Sequence, residues 1–301
     1  MTTKKRCCLS IDMIQAYSEI AGLTWPQFTA ISRLVKQRCG INLNQGKMAL
    51  VAARLHKRLR ALRFAGFSQY LEHIRNDADG TETTAMLDAL TTNVTHFFRE
   101  PQHFNFLKST VLPWILHQHD QDRRIRIWSA GCSSGEEPYS IAILLRSTVK
   151  NLGDWDLRIL ATDLSRQMLK LARQGIFEPH QLRQVPLTLV RRNFTPCKSG
   201  QQISYRIKEP LKKVVDFAQL NLMDPWPMRG PFDAVFCRNV MIYFDKPTQQ
   251  QLVSRFWKIL APGGRLFIGH SESLTGIHHH FSYQQPAVYK KSDVSEVGRI
   301  L

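Results

Sequence analysis

The chain has 301 residues, enough for about two domains, and its 43% apolar and 22% charged residues are typical of a globular protein. Since no run of about 18 apolar residues occurs, a transmembrane helix is not expected. Lysine and arginine number 41 against 24 aspartates and glutamates, which gives a net charge of +17. This excess favours an acidic partner, whether nucleic acid, an anionic membrane surface or an acidic protein.

The first residues predict neither a secretory signal nor a disulfide framework. Residues 1–23 show no sustained periodicity, and Asp12 interrupts their short apolar run. The six cysteines include no C-x-x-C pair, which favours reduced thiols. We therefore expect a cytoplasmic protein.

Helical patterns then continue to about residue 91, so residues 1–91 are predicted to be a leader and a small helical domain. A capping-box pattern at Thr24 and Gln27 begins the first helix. Three further helices are expected, at residues 46–64, 68–76 and 81–93. In the second helix, four basic residues fall within an arc of roughly 100° beside the apolar stripe: Lys47, Arg54, Lys57 and Arg58.

From about Arg124 strands alternate with helices, which indicates an α/β fold with a Rossmann-like doubly wound sheet over residues 124–301. Residues 92–123 are interpreted as a linker that contributes to a ligand site. The alternation lapses at about 176–213, where an inserted small β-subdomain is predicted. The expected strands of the main sheet are 125–128, 157–161, 214–217, 232–237, 265–269 and 287–290.

The stretch I-R-I-W-S-A-G-C-S-S-G-E-E-P at 125–138 predicts a strand, a glycine turn and a helix start. Glycines in such a turn let the backbone approach a ligand closely. The stretch lacks the dinucleotide fingerprint G-x-G-x-x-G, and Glu136 and Glu137 place negative charge where a phosphate would bind. Negative charge suits an ammonium group instead, which favours S-adenosylmethionine (SAM) over a dinucleotide.

Polar residues also follow the next three strands. Asp163 is placed to bind a ribose diol, with a helix cap as the alternative role. Asn221 and Leu222 are placed to bracket an adenine, and Arg238 and Asn239 follow the fourth strand. Because ligands of open α/β sheets bind at the carboxyl ends of strands, we expect these loops to converge on one pocket.

Five segments together resemble the CheR-type chemotaxis methyltransferases, which transfer methyl groups from SAM to receptor glutamates. They are T-N-V-T-H-F-F-R-E at 92–100, W-S-A through G-E-E-P-Y-S at 128–140, F-C-R-N-V-M-I-Y-F at 236–244, L-A-P-G-G at 260–264 and G-H-S-E-S at 269–273. The resemblance covers about residues 25–292. It implies a SAM-dependent protein-glutamate O-methyltransferase of chemotaxis signalling, whose partners are the cytoplasmic domains of methyl-accepting receptors and whose product is S-adenosylhomocysteine.

The resemblance also implies a SAM pocket, residue by residue. Arg99 is suited to pair bidentately with the methionyl carboxylate, and Glu137 to take the ammonium. Asp163 then accepts from the ribose hydroxyls, while Asn221 reads the adenine edge. The role of Glu136 is not separated from that of Glu137. The implied cofactor-binding residues are Asn93, Thr95, Arg99, Glu137, Asp163, Asn221, Leu222, Arg238 and Asn239.

The reaction itself sets modest demands, because a glutamate side chain with a pKa of about 4.3 is already ionised at neutral pH. No general base is needed, and water exclusion and alignment should supply much of the acceleration. The candidate catalytic residues are Arg99 and Tyr243. Tyr243 would position the acceptor carboxylate, or alternatively pack under the following helix.

The helical domain contacts the receptor in this family. The candidate substrate-binding residues are therefore the basic ones of its second helix, Lys47, Arg54, Lys57 and Arg58; a solvated charged face is the alternative. The inserted hairpin resembles a family subdomain that docks a receptor C-terminal peptide in some members, and its sequence leaves that docking open. The sequence does not indicate an oligomeric state.

Two other functions stay open, a nucleic-acid methyltransferase and a non-catalytic SAM-binding module associated with receptors. The net charge prompts the first, but R-N-V-M at 238–241 replaces the Asp/Asn-Pro-Pro-Tyr/Phe loop of base amino-methylation. We therefore expect no nucleic-acid partner and no membrane insertion. Three consecutive histidines, His278–His280, cannot all face one ion on a regular element, so no metal is expected.

Overall fold

The computed structural model describes residues 19–20, 22–91, 93–200 and 202–292, which fall into two compact units that divide after Thr91. The predicted leader, through residue 18, lies outside the described residues. Among the helices of these ranges, none combines the length and the hydrophobicity that a membrane span requires. The cysteines in these ranges carry free thiols: Cys39, Cys132, Cys197 and Cys237.

The first unit is helical behind a short antiparallel ladder of β1 (Glu19–Ile20) and β2 (Leu23–Thr24). Its first helix begins as the capping box predicts, because Gln27 Oε1 accepts from the Thr24 N–H at 2.9 Å. A 3₁₀ turn, Gln45–Lys47, precedes the second helix. The helices are Trp25–Cys39, Met48–Leu62, Phe67–Arg75 and Thr81–Leu90.

The second unit is built on a seven-stranded sheet. Its strands are β3 (Arg124–Ala130), β4 (Asp156–Asp163), β8 (Val215–Gln219), β9 (Phe232–Cys237), β10 (Leu260–Ile268), β11 (Phe281–Gln285) and β12 (Val288–Lys291). They lie in the order β11-β12-β10-β9-β3-β4-β8, in which the five strands from β10 to β8 are parallel and β11 and β12 are antiparallel additions at one edge. The predicted doubly wound α/β class is confirmed.

The edge strand β11 was not predicted. An edge strand pairs on one side only, and of its five residues Phe281 is the buried one. Its sequence therefore lacks the apolar run that marks the inner strands. The inner strand β9, in contrast, is buried at all six positions, and its predicted bounds agree with the structure.

Residues 93–123 contain helices that pack in the core of the second unit, which corrects their interpretation as a linker. They form helices Pro101–Phe106 and Leu112–Gln118, joined by a π-helical stretch at Leu107–Val111. Their apolar side chains belong to the same core as the sheet, including Phe104, Leu107, Val111 and Ile115. A π-helical turn has more residues per turn than an α-helix, so the apolar face shifts and the helical periodicity is lost in the sequence.

Further helices of this unit cover the sheet: Glu136–Thr148, Arg166–Gln174 and Lys246–Ile259. The inserted segment contains β5 (Ile176–Phe177), β6 (Phe194–Ser199) and β7 (Gln202–Ile207), which pair antiparallel in the order β5-β7-β6. Short helices, Leu187–Asn193 and Glu209–Lys212, flank the β6–β7 hairpin. The insertion therefore follows β4 and its helix and returns the chain to β8.

A buried polar pair, His119 and Asp233, joins the helix Leu112–Gln118 to the sheet. His119 Nε2 lies 3.0 Å from Asp233 Oδ1, and Asp233 Oδ2 accepts from the Arg126 N–H at 2.7 Å. Burial raises the pKa of the Asp233 carboxyl. The other ring nitrogen lies 2.9 Å from Asp122, whose side chain is 55% exposed.

We expect His119→Phe to lower the free energy of unfolding by about 3 kcal/mol, because it leaves a buried carboxylate without its side-chain partner. Asp122→Asn is the matched control and should cost less than about 1 kcal/mol, since that contact is exposed. Urea unfolding followed by tryptophan fluorescence measures both. Equal losses in the two variants would show that the buried pair does not secure this helix.

Candidate active site

Four adjacent strands, β9, β3, β4 and β8, carry the loops that the sequence singled out. The chain runs outward from β3 to β4 and β8, and then continues on the other side of β3 with β9. The point between β3 and β9 is therefore the topological switch of the sheet, where ligands of doubly wound folds bind. The loops after these two strands approach closely: a Cβ on Gly131, whose φ is +92°, would lie 2.5 Å from Val240 Cγ2.

We call the space at this switch point, between the loops after β3 and β9, the cleft. Arg238 follows β9 there, and its side chain is only 2% exposed. Its guanidinium is held between two carboxylates: Nη2 is 3.1 Å from Glu100 Oε2, and Nη1 is 3.2 Å from Glu137 Oε2. Nη2 also donates to the Arg99 carbonyl, and the guanidinium lies over the Phe104 ring at 5.7 Å. The Arg238 guanidinium is therefore shielded from solvent, and it holds the two carboxylates in place.

The structure separates the two glutamates at the helix start. Glu137 Oε1 accepts from Ser129 Oγ at 2.7 Å and its other oxygen meets Arg238, so its carboxylate faces the cleft. Glu136 instead accepts from Ser134 Oγ at 2.7 Å and from Gln181 Nε2 at 2.8 Å, which directs it toward the inserted segment. Burial raises the pKa of both carboxyls, and Arg238 opposes that effect at Glu137.

Asp163 ends β4 and holds the glycine turn of β3. Its Oδ2 accepts from the Ser133 N–H and its Oδ1 from the Ser165 N–H, each at 2.8 Å. The alternative role as a helix cap is wrong, because Ser165 caps the following helix by accepting from the Met168 N–H at 3.2 Å. Each carboxylate oxygen has a second lone pair for a hydroxyl donor.

Asn221 and Leu222 follow β8 and lie next to the end of β4, since the Leu220 N–H donates to the Asp163 carbonyl at 3.0 Å. Asn221 Oδ1 accepts from the Met223 N–H at 3.1 Å, which shapes a tight turn. Leu222 is buried. This turn is therefore ordered by its own side chain and presents a half-buried amide beside Asp163.

The segment from Asn93 to Glu100 covers the glycine turn. The Asn93 carbonyl accepts from Ser133 Oγ at 2.9 Å, and Thr95 is half-buried. Arg99 is also half-buried, and its Nη1 donates to the Val94 carbonyl at 2.9 Å. The structure thus connects Asn93 to the turn that Asp163 holds, and Arg99 to the Arg238 cluster.

Asn239 and Tyr243 lie on the loop after β9. Asn239 has a left-handed backbone with φ of 58°, and its N–H donates to Glu272 Oε2 at 2.9 Å. Tyr243 ends a 3₁₀ turn, Met241–Tyr243, and is half-buried. Both residues are therefore on the same loop as Arg238, beside the cleft.

Sequence reasoning gave no role to two acids that organise this site, Glu100 and Glu272. Glu100 pairs with Arg238 and accepts from the His270 N–H at 3.1 Å; Glu272 bonds the backbone of the loop after β9. Both lie inside segments that carry the family resemblance. Their pairing could not be read from the sequence, because Glu100 and Arg238 are 138 residues apart.

Glu100 also lies near two histidines. The ligand atoms of Glu100, His103 and His270 are within 4.8 Å of one another, the kind of grouping a metal ion uses. The Arg238 guanidinium already neutralises Glu100 there, and burial lowers the pKa of His103 to about 3. The predicted histidine run, His278–His280, is in the segment before β11.

In the first unit, Arg54 and Arg58, both candidate receptor-binding residues, make contacts inside the unit. Arg54 Nη1 donates to the carbonyls of Leu90 and Thr91, at 2.5 and 3.0 Å. Arg58 forms an ion pair with Glu82, whose carboxylate also accepts from Tyr70 Oη at 2.9 Å. Lys57 is exposed and Lys47 half-buried. Replacing either arginine would therefore disturb the unit itself.

A doubly wound sheet with a polar cradle at its switch point is the architecture of a SAM-binding methyltransferase, and sequence comparison supports this class. The family model described as "CheR methyltransferase, SAM binding domain" matches residues 93–289. A second, "CheR methyltransferase, all-alpha domain", matches residues 26–91. The chain belongs to the CheR methyltransferase family, and the resemblance identified from its motifs is confirmed.

Curated relatives match over most of their length. The chain is 41% identical over 243 residues to a "Probable chemotaxis protein methyltransferase" of Rhizobium etli, covering 81% of this chain and 91% of the relative. It is 37% identical over 294 residues to the "Chemotaxis protein methyltransferase" of Escherichia coli, covering 97% and 99%. A Borreliella burgdorferi relative of the same description is 38% identical, with 90% and 95% covered. The protein is a SAM-dependent methyltransferase of chemotaxis.

We expect Asp163→Ala to weaken SAM binding by about 1.5–3 kcal/mol, because a ribose hydroxyl would lose a charged acceptor. The change also frees the Ser133 N–H, so part of the loss would come from a looser glycine turn. Calorimetric titration measures the affinity. The exposed Asp154→Ala is the matched control and should bind SAM as the wild type does. Unchanged affinity in a folded Asp163→Ala protein would contradict the ribose assignment.

Proposed function

We propose that the protein transfers the methyl group of SAM to the side-chain carboxylates of specific glutamates in the cytoplasmic domains of methyl-accepting chemotaxis receptors. The products would be glutamyl methyl esters and S-adenosylhomocysteine, and the reaction would take place in the cytoplasm. The observation that carries the proposal is the match of two CheR family models, over residues 26–91 and 93–289. The charges of the cleft add to it.

The cleft suits the zwitterionic end of SAM. Two carboxyl groups, Glu100 and Glu137, flank the single guanidinium of Arg238, so the cluster offers more acceptor oxygens than Arg238 uses and suits an ammonium donor. The positive charge of Arg99 also acts on Glu137, and a guanidinium there suits the carboxylate of the same ligand. We therefore assign the ammonium to Glu137 and the carboxylate to Arg99.

At the other side of the switch point, the assignment continues to the nucleoside. The two oxygens of Asp163 are already oriented by backbone N–H groups, so they are preorganised to accept from a ribose diol. The turn that begins at Asn221 lies next to Asp163 and would contact the adenine; it is held by the Asn221 amide, which donates to Asp224 Oδ1 at 3.2 Å and accepts from the Met223 N–H. Asn93, Thr95 and Leu222 would complete the walls of this pocket.

The chemistry needs no proton transfer from the enzyme. SAM supplies a methyl group on a positive sulfonium, and a receptor glutamate is already a carboxylate at neutral pH. The role of the protein residues is then to orient the two reactants and to exclude water. A resident metal has no step to assist in this scheme, and we propose that none is used.

We expect incubation with methyl-labelled SAM and receptor-containing membranes to label a receptor band, with the label released as volatile methanol by alkali. Alkaline release is the signature of a carboxyl methyl ester, because N-methyl groups survive that treatment. Replacement of the acceptor glutamates by alanine in the receptor is the control, and should abolish labelling. Label that resists alkali, or that enters added RNA or DNA instead, would contradict the proposal and favour the nucleic-acid function.

Tyr243 is the proposed acceptor-positioning residue. We expect Tyr243→Phe, which keeps the ring and removes the hydroxyl, to lower kcat about tenfold while SAM affinity holds, because only a hydrogen bond to the acceptor is lost. Receptor methylation at saturating SAM measures kcat. Tyr283→Phe, an exposed tyrosine on edge strand β11, is the matched control and should keep full activity. Undiminished kcat in Tyr243→Phe would assign its hydroxyl no catalytic role.

The basic face of the helix Met48–Leu62 is the proposed receptor-binding surface. We expect the double variant Lys47→Gln/Lys57→Gln to methylate more slowly at low receptor concentration and to show a flatter salt dependence, because steering by charge is screened by salt. This pair is preferred to Arg54 and Arg58, which also hold the helical unit together.

The charge-matched control is Lys150→Gln/Lys170→Gln, which removes two exposed lysines of the other unit. SAM affinity should be unchanged in both double variants. If the two variants showed the same rates and the same salt profile, the basic face would be only a solvated surface.

A further inference from the structure

Glu272 is a buried carboxylate that lies after β10, on the loop next to the one that carries Arg238, Asn239 and Tyr243. Its Oε2 accepts from the Asn239 N–H at 2.9 Å and from the Gly269 N–H at 2.5 Å. Its Oε1 accepts from the Ile242 N–H at 3.0 Å. One side chain therefore satisfies backbone donors at both ends of the loop after β9.

Without Glu272, these backbone N–H groups would lose a hydrogen-bond acceptor. A buried backbone N–H without a partner destabilises its conformation by an amount comparable to a lost hydrogen bond. Asn239 has a left-handed backbone, which is uncommon for a residue other than glycine and which asparagine tolerates better than most. The bond from its N–H to Glu272 adds a further constraint at the residue that follows Arg238.

The two loops are also in direct contact beside the carboxylate. A Cβ on Gly269 would lie 2.5 Å from Asn239 Nδ2 and 2.9 Å from Glu272 Oε2, so only glycine permits this approach. The next residue, His270, donates its N–H to Glu100 at 3.1 Å, and Glu100 pairs with Arg238. The loop after β10 is therefore linked to the loop after β9 in two ways. Glu272 accepts from its backbone, and the His270 N–H bonds Glu100, which pairs with Arg238.

We propose that Glu272 is a positioning residue of the methyl-transfer site: its carboxylate fixes the backbone of residues 239–242, and so holds Arg238 and Asn239 in the geometry that binds SAM and Tyr243 in the geometry that positions the acceptor. The inference rests on the proposed function only for the role of these three residues. It is independent of the receptor, because SAM binding is measured without an acceptor.

The proposal distinguishes glutamate from glutamine. Glutamine has the same length but only one acceptor oxygen, and its amide would direct N–H groups at backbone N–H groups. We expect Glu272→Gln to weaken SAM binding at least about tenfold, as for a lost charge-assisted hydrogen bond. Hydrogen exchange at the amides of Asn239, Ile242 and Gly269 should accelerate by a similar factor, while the amides of β3 and β4 exchange as in the wild type.

Two further variants make the test specific. Gly269→Ala leaves the carboxylate intact but forces the two loops apart, so it should reproduce both the weaker binding and the faster local exchange. Glu209→Gln removes an exposed carboxylate, paired with Lys212 at 3.6 Å, and is the charge-matched control; it should change neither quantity. A merely structural role would lower the unfolding temperature and leave SAM affinity below the transition unchanged.

The outcomes separate this inference from the proposed function. Unchanged SAM affinity, or unchanged local exchange, in a folded Glu272→Gln protein overturns the positioning role, whatever the acceptor is. Global unfolding of both Glu272→Gln and Gly269→Ala also overturns it, because the residue would then support the whole sheet. A wild-type protein that binds SAM but labels no receptor glutamate contradicts the proposed function and leaves the positioning role intact.

Discussion

The guanidinium of Arg238, buried between Glu100 and Glu137, is the interaction on which the rest of the site depends. Two buried carboxylates this close to one another would repel, and desolvation would drive each to take up a proton. Arg238 opposes that proton uptake at both carboxyls, and it also bonds to the carbonyl of Arg99. One side chain therefore sets the local charge and joins three parts of the chain: the segment before the sheet, the first crossover helix and the loop after β9.

That dependence explains why the segment 93–123 belongs to the catalytic unit. On the sequence alone this segment is interpreted as a linker that contributes to the SAM site. The π-helical stretch at Leu107–Val111 changes the period inside the segment, and the apolar face continues after it on a shifted stripe. The helical structure of this segment therefore becomes evident only from its packing against the sheet. That packing also places Arg99 and Glu100 in the cleft.

The sequence predicted the class of fold and the inner strands well, because buried parallel strands are continuous apolar runs bounded by turns. The convergence of the loops after β3, β4, β8 and β9 followed from one rule, that ligands bind at the carboxyl ends of strands. The edge strand β11 was not predicted because a single buried residue, Phe281, gives no periodic signal. The separate directions of Glu136 and Glu137 depend on Gln181 and Ser129, which no local pattern links to them.

The contacts of Arg54 and Arg58 also could not be predicted from the sequence. Their spacing on the helix Met48–Leu62 predicts a basic face, and spacing alone cannot distinguish a cation that meets a partner from one that meets its own domain. The acceptors, Glu82 and the carbonyls of residues 90 and 91, come from a later helix. Removing Arg58 would leave the largely buried Glu82 carboxylate without its ionic partner, which is more destabilising than the loss of a surface ion pair. The two arginines thus fix the helix to its own unit, while Lys57 on the same helix remains exposed.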